Sequence, residues 1–184
     1  HRVVALHIGV FDADPQMHVD ISNSHVAQAG GTPISQLQDR KDRGEAMKVM
    51  SDGAAIVVRR LYDDGRFDGI LGMGGTGGTS VITSGMQSLP IGVPKVMVST
   101  AASGDTSAYV GTRDIAMFPS VVDVAGVNRI SRPIFTRAAG AICGMVESEP
   151  EATSEEKPII AASMFGNTTD CVDRCREALT GKGY

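Results

Sequence analysis

Asp68-Gly69-Ile70-Leu71-Gly72-Met73-Gly74-Gly75-Thr76-Gly77-Gly78-Thr79-Ser80 carries six glycines, and the chemistry such a run supports is anion capture by backbone amides. Each glycine loses more backbone entropy on folding than any other residue and buries no side chain, so a cluster this tight is poor core filler. Bare backbone can be approached closely. At a strand-to-helix junction several N–H donors and the positive end of a helix dipole converge on one point, which favours a phosphate. Gly72-Met73-Gly74-Gly75-Thr76-Gly77 satisfies GxGxxG in that setting, although glycines bunched this closely satisfy several such patterns. The absence of GxxxxGK[ST] excludes a P-loop NTPase by spacing. The structural alternative is a tight turn whose glycines serve close packing.

A second polar stretch follows the next apolar run. Ser99, Thr100, Ser103, Gly104, Asp105, Thr106 and Ser107 offer hydroxyls for phosphate or ribose, and Asp105 offers a carboxylate for ribose or a Mg²⁺ shell. The same residues also make an N-cap and turn cluster, and the sequence leaves both readings open. No metal ligands are assigned, because the four histidines lack metal-site spacing. His7 alternates into an apolar run as a packed residue. Cys171 and Cys175, one helical turn apart, read as small buried residues rather than a ligand pair. Arg59-Arg60 and Arg129/Arg132 read as solvated helix ends, and no Ser-His-Asp grouping or GxSxG elbow is present.

These residues need elements to position them. Val3 to Val10 reads as a buried strand, and Asp20 to Ser24 offers N-caps for a short helix running out at Gly30-Gly31. From Arg43, Met47, Met50, Ala54, Val57, Val58 and Leu61 recur at helical spacing until Asp63-Asp64-Gly65. The strand Gly69 to Met73 feeds the glycines, a helix covers Thr79 to Leu89 with Pro90 as its stop, and Lys95 to Ser99 is the next strand. Tyr109 to Val124 is ambiguous. A long helix begins from Asn128 and ends near Glu147. Strands as short apolar runs alternating with helices predict an α/β fold, a parallel-sheet, Rossmann-like sandwich, with ligands at the carboxyl ends of its strands. Residues 147–157 have the composition of an acidic linker. A strand over Ile159 to Met164 and a helix with Val172, Cys175, Ala178 and Leu179 inside predict the start of a second α/β domain that the chain does not complete. Domain boundaries are expected at 1–146, 147–157 and 158–184. The first residue is His1, and a missing N-terminal part is expected.

Composition narrows the partners. Of 184 residues, 42% are hydrophobic and 21% charged, as in an ordinary globular chain. Aromatics at 4%, no Trp and a net charge of −4 argue against a nucleic-acid surface. No apolar run approaches the about 20 residues needed to span a bilayer, so no membrane partner is expected. The odd cysteine count fits no disulfide framework, and a reducing cytoplasm is the simplest setting.

Several collinear stretches carry a resemblance: Asp39 to Met47, Gly72 to Thr79, Leu89 to Thr100, Ser103-Gly104-Asp105, Tyr109 to Thr112 and Val121 to Ser131. Together they resemble the bacterial and plant family that shares the ATP-binding N-terminal region of the tomato mosaic virus resistance protein. The resemblance implies two α/β domains, a homodimer, and a small-molecule nucleotide, ATP, held by Gly74, Gly75, Thr76, Gly77, Gly78 and Thr79. It gives Ser103, Gly104 and Asp105 to a second small-residue loop. With Thr100 beside them and Mg²⁺ as companion ion, the expected function is nucleotide binding, with the reaction open and a regulatory role in view. The alternative is an ATP-dependent hydrolase or transferase using the same loop. A dinucleotide oxidoreductase fits less well, because the strand after the glycine helix ends in Ser99-Thr100 and not in an acidic residue.

Overall fold

The computed structural model describes residues 1–148 and 160–184, which fall in two units, His1–Ser148 and Glu149–Tyr184. In the first unit three strands, β1 (Ile70–Gly74), β2 (Lys95–Ser99) and β3 (Ala116–Pro119), pair in parallel in the order β1-β2-β3. All of β2 is buried. Its alternation divides the core: Met97 packs with Ile82 and Met86 of α4 (Thr76–Gln87), while Val96 and Val98 pack with Ile134, Phe135 and Ala138 of α6 (Ser131–Glu147). Helices on both faces account for the unbroken apolar runs of the strands. The chain is α/β, with a Rossmann-like parallel sheet.

Behind α4 lies α3 (Arg43–Asp63), started by Asp42, whose Oδ1 accepts from the amides of Gly44 at 2.8 Å and Glu45 at 3.0 Å. The short helix α1 (Asn23–Ala29) crosses α3 in backbone contact. A Cβ on Gly53 would fall 2.0 Å from the Val26 carbonyl oxygen, and one on Gly30 would fall 2.1 Å from that of Val49. Only glycine permits that crossing.

Several expectations are corrected. Val3 to Val10 is not a strand: it makes one parallel bridge, Leu6 to Ile21, with the His7 amide donating to the Ile21 carbonyl at 3.0 Å. Leu6, Ile8 and Val10 pack against the α1–α3 core, so the apolar run reports burial and not membership of the sheet. Asp20 fixes this segment by accepting from the Ala5 amide at 2.8 Å, a bond that holds its carboxyl below the ordinary range. Helix α4 starts at Thr76, three residues before the expected Thr79, because Gly77 and Gly78 are helical. A helix α2 (Ile34–Arg40) follows Pro33, and the ambiguous stretch resolves into α5 (Ser107–Val110) and β3. In the second unit a 3-10 turn (Gly166–Thr168) leads into α7 (Thr169–Thr180). Ile160 to Met164 form no strand, having no neighbour among the described residues to take their hydrogen bonds; Ile159 lies outside the described residues. Glu147 belongs to α6, and the rest of the acidic linker, from residue 149, also lies outside the described residues. Cys171 and Cys175 are exposed on α7, not buried, because α7 packs no face away from solvent in the described residues. Among the described residues no helix is long and apolar enough to cross a membrane.

At the amino end of β2, Lys95 is fully buried, and its three ammonium donors are all satisfied. Its Nζ donates to the carbonyls of Pro90 and Val93, both at 2.8 Å, and to Asp114 Oδ1 at 2.7 Å. Burial pushes the Asp114 carboxyl up. The hydrogen bonds from Lys95 and the Gly92 amide outweigh that and leave it below its ordinary value of 3.8. A depressed carboxyl stabilises the folded state in full above its unfolded value, and that contribution is lost as pH falls through the lower folded value. Asp114→Asn is therefore expected to cost about 1 kcal/mol in urea unfolding at about pH 5, a modest figure because the side chain is partly solvated. The gap from the parent should narrow at about pH 3. A gap that stays constant across that range would remove Asp114 from the acid response.

Candidate functional site

The carboxyl ends of the strands are joined by hydrogen bonds. The Thr100 amide donates to the Gly74 carbonyl at 3.3 Å, and the Ser120 amide donates to the Ser99 carbonyl at 3.0 Å. Thr79 Oγ1 donates to the Gly75 carbonyl at 2.8 Å and lies 2.6 Å from Ser99 Oγ, which accepts from the Ala101 amide at 2.9 Å. Thr79 and Ser99 are both fully buried. Thr79, a residue expected at the ligand, therefore belongs to the scaffold that fastens the glycine helix to the end of β2.

Gly75 is the N-cap of α4, in extended backbone and with no side chain capping the helix. The Thr79 amide is the first to find a helical acceptor, the Gly75 carbonyl at 2.8 Å. The amides of Thr76, Gly77 and Gly78 have no acceptor among the described residues, the usual fate of the first N–H groups of a helix.

The glycines divide by their surroundings. A Cβ on Gly72 would fall 2.3 Å from Ile82 Cγ2, and one on Gly74 would fall 3.0 Å from Gly78 Cα. Close packing of α4 on β1 accounts for both. Gly75, Gly77 and Gly78 have no such reason. None has a positive φ, and the nearest atoms to an added Cβ are Thr100 Oγ1 at 3.8 Å for Gly75 and Met47 Sδ at 3.5 Å for Gly77. Gly78 has nothing within 4 Å. None of these three Cβ positions meets an atom closer than 3.5 Å.

Thr76 and Thr100 are exposed, and so are Ser103, Gly104 and Asp105 on the second loop. That loop is built from turns, with the Gly104 amide donating to the Ala101 carbonyl at 3.2 Å. Asp105 Oδ1 accepts from the Ser107 amide at 2.9 Å, and its hydrogen bonds with Ser107 hold the carboxyl below the ordinary range. Gly75 and Thr100 are brought together. Among the described residues no hydrogen bond links Ser103 or Asp105 to the glycine loop.

Arg43 is the neighbour that sequence reasoning missed. It opens α3, is exposed, and forms no ion pair among the described residues. Its Nη2 lies 3.6 Å from the Cβ position of Gly77. The approach of two helix starts, 34 positions apart in sequence, leaves no periodic signal. Among the described residues no group of three or more His, Cys, Asp or Glu could hold a metal. Asp105 is the one carboxylate on the two loops. A cation at the loops would depend on ligand oxygens for most of its shell.

Comparison with known proteins places this geometry in a family. The family described as "Uncharacterised protein family (UPF0261) N-terminal domain" matches residues 1–151. A UPF0261 protein of Clostridium tetani is 44% identical over 183 residues, covering 100% of this chain and 45% of that protein. A UPF0261 protein of Rhizobium meliloti is 47% identical over 165 residues, covering 90% of this chain and 40% of its own length. The ToMV resistance protein Tm-1(GCR237) of Solanum lycopersicum is 42% identical over 147 residues, covering 77% of this chain and 20% of that protein. The chain thus spans less than half the length of these relatives. With one family matched across most of its residues and relatives above 40% identity, the chain belongs to the UPF0261 family and carries its N-terminal domain.

Proposed function

We propose that this chain binds a nucleotide, ATP with Mg²⁺, by its phosphates at the amino end of α4. The observation that carries the reading is the trio Gly75, Gly77 and Gly78, which neither packing nor backbone conformation requires. In a helix the Cα–Cβ bond tilts toward the amino end, so side chains at 77 and 78 would project toward an anion seated on the free amides. Their absence leaves the approach clear. Thr76 and Thr100 hydroxyls flank it, and Arg43 supplies the positive charge that a phosphate attracts. Gly74 and Thr79 hold the loop in shape. Asp105 offers its second carboxylate oxygen to a Mg²⁺ carried on the phosphates, and Ser103 and Gly104 line the same loop. The proposed setting is the cytoplasm, and the proposed assembly a homodimer, as the family resemblance implies.

Calorimetric titration of the 184-residue chain with ATP and Mg²⁺ tests the reading. Saturable heat is expected, and its absence would overturn the proposal. Arg43→Ala is expected to weaken ATP binding about tenfold, the worth of one charge-assisted hydrogen bond. It should leave the unfolding midpoint in place, because the side chain is exposed and forms no ion pair among the described residues. Binding without phosphate release marks a binding or regulatory module. Sustained release that depends on Asp105 marks an ATP-dependent hydrolase.

A further inference from the structure

The outer face of α3 carries its charges in a particular order. Lys48 pairs with Asp52 and Arg59 pairs with Asp63, each one turn apart, and Ala55 and Ile56 lie between the two pairs. At 3.6 residues per turn the four charged residues fall within about 60° of arc, with Ala55 on one border of the stripe and Ile56 on the other. The opposite side of the helix is the one packed in the core, through Met50, Ala54, Val57 and Val58. The stripe has no cover among the described residues: all four charged side chains are exposed, and Ile56 is 45% exposed. Ala55, Ile56, Arg59, Arg60, Asp63 and Ser88 together line an open groove of about 530 Å³. Arg59 holds its wall, Nε donating to both carboxylate oxygens of Asp63 at 3.0 Å and Nη1 to the Ser88 carbonyl at 3.3 Å.

The order of the charges decides what fits there. Asp52 and Arg59 stand at equal separations on the two sides of the Ala55–Ile56 bond, and so do Lys48 and Asp63. Every charge is therefore matched by the opposite sign at the mirror position. A second copy laid antiparallel across that bond would set its Arg59 against Asp52 and its Asp63 against Lys48. A parallel copy would set like against like. Two-fold symmetry repeats each contact, so both pairs form twice while the two Ile56 side chains meet near the axis. Exposed ion pairs are weak one at a time, but a complementary set fixes the register and direction of an interface whose centre is apolar.

We infer that α3 is the face by which two copies of this chain associate, antiparallel about the Ala55–Ile56 bond, with Lys48 and Asp52 of one copy facing Asp63 and Arg59 of the other. The inference rests on the homodimer reading above and goes further, naming the surface and its register. It does not depend on the nucleotide.

The test is sedimentation equilibrium on the 184-residue chain, on Asp52→Arg, on Arg59→Asp and on the double variant. Both residues are exposed, so the variants should fold with unfolding midpoints close to that of the parent. The parent is expected to dimerise. Each single inversion sets like charges across the axis twice and should weaken the dimer at least about tenfold. The double variant restores opposite signs across the axis, and its dimer affinity should return to within about threefold of the parent's. A solvated helix face with no partner would show no such rescue. A dimer that either single inversion leaves intact, or that the double variant fails to restore, would overturn the α3 face while leaving the homodimer standing. A parent that sediments as a monomer at its highest soluble concentration would overturn the homodimer, and the α3 face with it.

Discussion

Replacing Gly77 and Gly78 together by alanine should make the chain more stable and a poorer ligand binder. Both residues lie in the first turn of α4, where alanine is the better helix former, and together the changes are worth about 1 kcal/mol of stability. Neither new methyl group meets a steric obstacle: the nearest atoms are Met47 Sδ at 3.5 Å from position 77 and nothing within 4 Å of position 78. On the proposed reading the methyl groups instead tilt toward the phosphate seated on the free amides. Displacing a phosphate from that position costs about 2 kcal/mol of binding, about thirtyfold in affinity. Urea unfolding and ATP calorimetry on one preparation give both quantities. A stabilised variant with undiminished ATP affinity would remove the phosphate from this loop.

The same chemical change at Gly53 has the opposite sign. An added Cβ would stand 2.0 Å from the Val26 carbonyl oxygen, 2.9 Å from its carbon and 3.0 Å from the Gly30 nitrogen. These are backbone atoms of the segment that crosses α3, so no side-chain rotation relieves the overlap. Gly53→Ala is expected to destabilise the chain by about 3 kcal/mol as α1 is pushed off α3. A urea midpoint equal to that of the parent would mean that the crossing is looser than the structure has it. What lies beyond the missing Cβ decides between stabilisation and collapse, and glycine composition alone does not report it.

That distinction marks how far the sequence could be read. α3 was legible because its apolar positions recur every three or four residues and because Asp42 and Asp64 bracket it. β1 and β2 were legible as short apolar runs, each ending in small polar residues. Val3 to Val10 has the same composition but, among the described residues, no strand beside it, since pairing depends on a neighbour that no local pattern names. α2 carries only Ile34 and Leu37 as apolar residues, and β3 is four residues closed by Pro119, so neither offers a period long enough to detect. Within the site, the junction of strand and helix was legible from the glycines. The burial of Thr79 was not, because a hydroxyl that serves a ligand and one that joins two strand ends look alike in sequence. Arg43 reaches the site through the packing of α3 on α4.

Gly72 and Gly74 have a further effect through the edge of the sheet. Among the described residues β1 has a strand neighbour only on its β2 side, so its outer edge presents backbone donors and acceptors to any extended segment that comes alongside. Five residues make a short template. Two glycines weaken it further, since they hold extended backbone poorly and give an incoming chain no side chains to interlock with. The residues that let α4 settle against β1 therefore also make that edge a poor seed for fibrillar stacking.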